Sequence, residues 1–149
     1  MSPLTYALIF GATLFFVISW WRALARDKAI KRVAVERGFI ADKDIPASMN
    51  FRETGLAGVS STWNVIHGDQ NGAFVIAFDC RIGKGKGSWR RTVIAARSSR
   101  EVFGSAKFDT SLVVERAGEW TILYRPKKLS LSDGGLMPAE EIKAHVENV

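Results

Sequence analysis

Cysteine occurs once in the 149 residues, at Cys80. No disulfide can close within the chain, and no cage of thiolates can hold zinc or an iron–sulfur cluster. Histidine is almost as scarce, with only His67 and His145. No spacing of His, Cys, Asp or Glu supports a metal site, and no cofactor is expected. Two further absences are local. Residues 3–21 carry no charge at all, and residues 81–100 contain Arg81, Lys84, Lys86, Arg90, Arg91, Arg97 and Arg100 without a single Asp or Glu.

The charge-free run is rich in Leu, Ile, Phe, Val and Trp. Nineteen helical residues at 1.5 Å each reach about 28 Å, close to the hydrocarbon thickness of a bilayer. The run therefore reads as one transmembrane helix. Trp20 and Trp21 stand at its far end, where indoles favour the lipid–water boundary, and Arg22 marks the exit. A cleaved secretory signal competes, because Ala23-Leu24-Ala25 has a small-x-small pattern. No Lys or Arg precedes the apolar run, however, the run is long for a signal core, and the cut would fall after Arg22 within a basic stretch. Arg22, Arg26, Lys28, Lys31 and Arg32 then hold that side in the cytoplasm. The expectation is a single-pass protein of the cytoplasmic (inner) membrane, with its folded part on the cytoplasmic side.

Residues 22–37 lack Pro and Gly and are rich in Ala, Arg, Lys and Glu, which continues the helix beyond the bilayer to Gly38. The chain thus divides into 1–38, a transmembrane and basic juxtamembrane helix, and 39–149, one β-rich domain long enough to bury a core unaided. Residues 41–61 read as loop, with one short strand near 50–53. Strands follow at 62–67, 73–81 and 89–97, the first two joined by the turn 68–72, the last two by the loop 83–88. In 73–81, Phe74, Ile76, Phe78 and Cys80 share one face, and Asp79 and Arg81 the other. A second hairpin occupies 112–125, and a helix opening at Pro138 carries Ile142 and Val146 on one side. The expected class is α+β: an antiparallel sheet of about five strands, sequential and hairpin-linked, with a helix at each end of the chain.

Little chemistry is written in this pattern. Gly-Lys-Gly-Lys-Gly-Ser at 83–88 has glycine and lysine for an anion, but strand follows it where a P-loop needs a helix. The loop instead forms the tip of a basic hairpin whose Lys84, Lys86, Arg90 and Arg91 can meet anionic headgroups or a protein partner. Nucleic acid, which Trp89 among cations also suits, is disfavoured by the tether. An enzymatic alternative would use His67, Asp79 or Cys80, but Asp79 points away from Cys80, and His145 lies in the terminal helix.

Asn64-Val65-Ile66-x-Gly68, Phe78-Asp79 ten residues on, the glycine-rich basic turn and Thr92-Val93, then Glu119-Trp120 and a Pro-capped helix, together resemble uncharacterised bacterial membrane-anchored proteins with a C-terminal β-rich domain. The likeness covers about residues 60–146. It implies the architecture and transfers no catalytic residue. The strand order also looks loosely like a pleckstrin-homology-type domain, which licenses no function. The functional expectation is a membrane-tethered, non-enzymatic binding or scaffold module. A structural subunit of a membrane complex is the other non-enzymatic alternative.

Overall fold

The Ser2 side chain accepts a hydrogen bond from the Thr5 amide, and Pro3 occupies the first turn, where its missing N–H is not needed. From this cap, α1 (Pro3–Arg37) runs unbroken for 35 residues in a computed structural model that describes residues 2–104, 111–126 and 135–149. It stops at Gly38, whose φ of 66° places it in the left-handed region that glycine enters freely. The Gly38 amide donates to Val35 O and the Phe39 amide to Ala34 O, the two reverse bonds of a Schellman cap.

The sheet has six antiparallel strands: β1 (Ile40–Asp42), β2 (Val59–Gln70), β3 (Ala73–Ile82), β4 (Trp89–Arg97), β5 (Val113–Ala117) and β6 (Trp120–Tyr124). A terminal helix, α2 (Ala139–Glu147), completes the α+β layout. Five of the strands, β2 to β6, lie where the sequence pattern puts them, within a few residues. The β2–β3 turn narrows to Asn71 and Gly72, with φ of 51° and 81°, the double positive value of a type I′ hairpin. The short strand expected near 50–53 is absent. There the Asn50 side chain accepts from the Arg52 amide and Thr54 Oγ1 donates to Phe51 O, closing local turns that compete with strand pairing. The extra strand is β1 instead, which the helix cap delivers directly to the edge of β2.

Strand order is β1-β2-β3-β4-β6-β5, so the last hairpin is inverted relative to the sequential arrangement expected. Burial explains the choice. In β6, Trp120, Ile122, Leu123 and Tyr124 are all buried, whereas β5 carries exposed Arg116 and half-buried Glu115 and is suited to an edge.

Both faces of the sheet are covered. On one, Ile66, Val75, Ala77, Ile94, Ala96 and Leu123 pack beneath Ile30, Val33, Ala34 and Phe39 from α1 and its cap, and beneath Ile142 and Val146 of α2. On the other, Ile76, Phe78, Cys80, Trp120, Ile122 and Tyr124 lie under Met49 and Leu56. Burial on both sides is why β3 and β4 read as nearly continuous apolar runs. The packing unit therefore reaches upstream of Gly38, because the last three turns of α1 belong to its core. α2 is also tied to α1 at the surface, by Lys143 Nζ to Glu36 at 2.6 Å and by an Arg37–Glu147 ion pair.

Candidate functional site

Asp79 is a charged residue in the middle of an apolar strand, and it is wholly buried. A lone carboxylate there must be paired and hydrogen-bonded or the fold would not tolerate it. Three elements supply the partners. Arg26 of α1 reaches down with both prongs: Nη2 donates to Oδ1 and Nε to Oδ2, each at 2.7 Å. Thr92 of β4, directly opposite Asp79, donates its hydroxyl to Oδ1 at 2.7 Å. Asn64 of β2 donates Nδ2 to Oδ2 at 2.9 Å.

Asn64 reaches that oxygen because of a bulge. Trp63 pairs with Asp79 and Ile66 with Ala77, leaving Asn64 and Val65 to share Phe78. Asn64 takes a φ of 53°, a left-handed conformation asparagine tolerates better than most residues. The network closes through residues just before α2: the Met137 amide donates to Thr92 Oγ1 at 2.9 Å, and Arg26 Nη1 donates to Met137 O at 2.8 Å. Each carboxylate oxygen thus accepts two hydrogen bonds, and the helix, three strands and the chain before α2 meet at one point. Its signals in the sequence were an isolated acid in the most apolar strand and a threonine within the next; the partner helix residue was invisible, because Arg26 stood among charges read as setting membrane topology.

The basic hairpin lies at the end of the sheet that Arg26 approaches. Lys84 and Lys86 are exposed around a short 3-10 turn (Gly85–Gly87). Arg81 and Arg90 are exposed and directly opposite one another across β3 and β4. Arg91 differs from the surface cation the sequence suggested. It pairs with Cys80 across the strands, is only 5% exposed, stacks its guanidinium 4.1 Å from the Trp89 ring centroid, and donates Nη1 to Arg90 O. Burial holds its pKa below the usual arginine value. Gly135 lies against this side chain with no room for a Cβ, and its carbonyl accepts from the Thr92 amide. Of the four cations named from the sequence, Lys84, Lys86 and Arg90 face solvent. Trp20, Trp21 and Arg22 are exposed on α1, one to two turns before Arg26.

The enzymatic alternative gains no geometry. Cys80 is fully buried, and burial, with Asp79 alongside, pushes its thiol up to about 12. His67 sits opposite Ile76, with its ring 5.5 Å from that of Phe74 and Nε2 3.4 Å from Asp42. Cys80 lies four residues further along β3 than Ile76, roughly 13 Å away at strand spacing. Asp79 faces the opposite side of the sheet, and His145 belongs to α2. Among the described residues no group of three His, Cys, Asp or Glu could hold a metal ion.

Compared with protein-family models, with curated proteins and with solved structures, the chain matches none. What can be said of its function therefore rests on its own residues.

Proposed function

We propose that this is a single-pass protein of the cytoplasmic membrane, a tethered non-enzymatic module whose folded domain lies on the cytoplasmic side. Its basic hairpin meets anionic lipid headgroups or a protein partner there. The observation that carries the reading is the division of α1. Its first half is apolar, with large side chains such as Phe10, Phe15, Phe16 and Trp21 about 70% exposed or more and nothing packed on them, while its second half is bound into the core. A helix that is apolar all round and uncovered needs lipid as its solvent. The cations that follow it favour the cytoplasmic leaflet.

Membranes washed at high pH and sedimented test the anchoring, and a protein recovered in the supernatant without detergent would end the proposal. The position of the hairpin is tested in the full-length protein by Gly87→Cys, labelled with an environment-sensitive dye; the buried Cys80 leaves the new thiol as the reactive one. In nanodiscs containing phosphatidylglycerol the dye should shift toward a less polar environment than in neutral nanodiscs. Equal spectra in both would leave the lipid reading without support and direct attention to a protein partner.

A further inference from the structure

We propose that the Nε–Nη2 edge of Arg91 is a binding site for the carboxylate of one small water-soluble organic acid. The inference does not rest on the membrane reading above, and it gives a role to the hairpin cation that the fold turns inward.

The site lies at an edge of the sheet. β6 accompanies β4 only from Val93 to Ala96, so Trp89 to Thr92 run on past it. Two groups close that stretch: Gly135 O accepts from the Thr92 amide at 3.0 Å, and Arg91 bends back to donate Nη1 to Arg90 O at 2.7 Å. The guanidinium is fixed by its neighbours as well. The Trp89 ring centroid lies 4.1 Å from Cζ, and Gly135 packs against Cζ and Nη1 too closely for any Cβ. A side chain held in this way has lost its rotamer freedom before a ligand arrives, which lowers the cost of binding.

Arg91 nevertheless lacks what a buried cation needs. It is only 5% exposed, and Nε is buried without a hydrogen-bond partner. No ion pair among the described residues includes it. Arg37 Nε is orphaned too, but Glu147 neutralises that guanidinium. A buried charge without a counter-ion is costly, and the fold's own acids are committed elsewhere. Asp79 faces the other side of the sheet and already accepts four hydrogen bonds. Glu115, which holds Tyr124 on the Arg91 side, accepts from the Tyr124 hydroxyl and the Gly55 amide, each at 2.9 Å. Cys80 and Tyr124 are the groups that oppose the lowering of the Arg91 pKa, and burial raises the pKa of both, so neither supplies a negative charge at neutral pH.

The chain itself shows what such an edge accepts. Arg26 donates Nη1 to a backbone carbonyl, Met137 O, and grips the two oxygens of Asp79 with Nε and Nη2. Arg91 also gives Nη1 to a backbone carbonyl, which leaves the same Nε–Nη2 edge for a second carboxylate. The planar fork matches two carboxylate oxygens in a way that a lysine ammonium does not. With so little of the residue open, a short acid fits and the broad surface of a bilayer does not.

The test uses the full-length protein in a neutral detergent at pH 7, with sodium acetate exchanged for sodium chloride at constant ionic strength. The thermal midpoint of the wild type should rise by several degrees and saturate as a single site. Arg91→Lys, which keeps the charge and loses the fork, should lose more than half of that rise, and Arg91→Gln all of it. Lys84→Gln with Lys86→Gln should respond as the wild type does. In protein labelled with nitrogen-15 arginine, one buried Nε–H signal should move downfield on adding acetate, toward that of the Asp79-bonded Arg26, whose own signal stays in place. A wild type whose midpoint does not distinguish acetate from chloride overturns the site, as do an unmoved set of Nε–H signals and an Arg91→Lys response equal to that of the wild type. If the Arg91 variants do not fold, the wild-type midpoint and Nε–H signals decide the matter without them. A larger rise with inorganic phosphate than with acetate would assign the edge to phosphate and overturn the carboxylate assignment.

Discussion

Arg26 and Asp79, 53 positions apart, meet in a two-pronged ion pair that fastens a helix with an uncovered apolar half to the centre of a β-sheet. The Asp79 side chain is wholly buried and that of Arg26 is 19% exposed. The pair sits where the helix begins to pack, so it also defines the point at which the domain takes hold of the helix.

Removing one partner strands the other. Arg26→Met should destabilise the domain by about 3–5 kcal/mol, the range for an orphaned buried charge. Asp79→Asn, which keeps the shape and leaves Arg26 without its counter-charge, should cost a comparable amount. The double variant should cost much less than the sum of the two. Denaturant unfolding of the three variants and wild type closes the cycle, and additive losses would show that the two side chains do not interact.

Asn64 separates backbone strain from hydrogen bonding. Asn64→Gly removes the donor to Asp79 but suits the positive φ, and should lose about 1–2 kcal/mol. Asn64→Ala removes the same donor and adds roughly 1 kcal/mol or more of left-handed strain. Thermal or denaturant unfolding should therefore rank wild type above Gly and Gly above Ala. A reversed order of Gly and Ala would mean that the bulge is not held in this conformation in solution.

Cys80 gives the fold a pH dependence of known sign. Burial raises its pKa from 9.0 to about 12, so the folded state keeps a proton that the unfolded state has released. Stability from this group is whole below about pH 9 and declines as pH rises toward 12. Tyr124, raised by burial and by its hydrogen bond to Glu115, acts in the same direction from about pH 10 upward. Cys80→Ala should flatten part of the alkaline loss, measured as the unfolding midpoint against pH. The native thiol should also resist iodoacetamide at pH 8 until denaturant is added. Rapid native alkylation would contradict its burial.

Arg91 and the tip lysines should behave oppositely. Arg91→Met removes a cation packed on Trp89 inside the fold, and should alter stability while leaving association with anionic vesicles unchanged. Lys84→Gln with Lys86→Gln should leave the thermal transition in place and weaken anionic-surface contact by about 1 kcal/mol per lysine. The dye on Gly87→Cys reads both.

Much of this architecture was legible in the sequence for local reasons. The helix to Gly38, the period-two pattern of β3, the Asn-Gly turn and the Ile142–Val146 pair of α2 are each decided within a few residues. What escaped was settled over distance. No local signal tells that Phe39 and Ile40 will find the edge of β2, or that β6 will displace β5 beside β4; those follow from which strand has more apolar surface to hide. Asp79 was legible as an oddity, yet its meaning depended on Arg26, a residue whose nearby charges already had a sufficient explanation. Arg91 looked like its exposed neighbours in composition, and only the pairing with Cys80 turns it inward.

Between Arg22 and Arg37 there is no glycine or proline, and the Arg26–Asp79 clasp grips the rod partway along that span. The arrangement has no swivel. A domain hung from a flexible strap can turn to any heading, whereas this one is carried like a blade on a fixed shaft: each degree by which the shaft leans is passed on undiminished to the hairpin. Held in a bilayer, such a shaft makes the hairpin's height above the surface a direct readout of how steeply the lipid thickness forces it to lean.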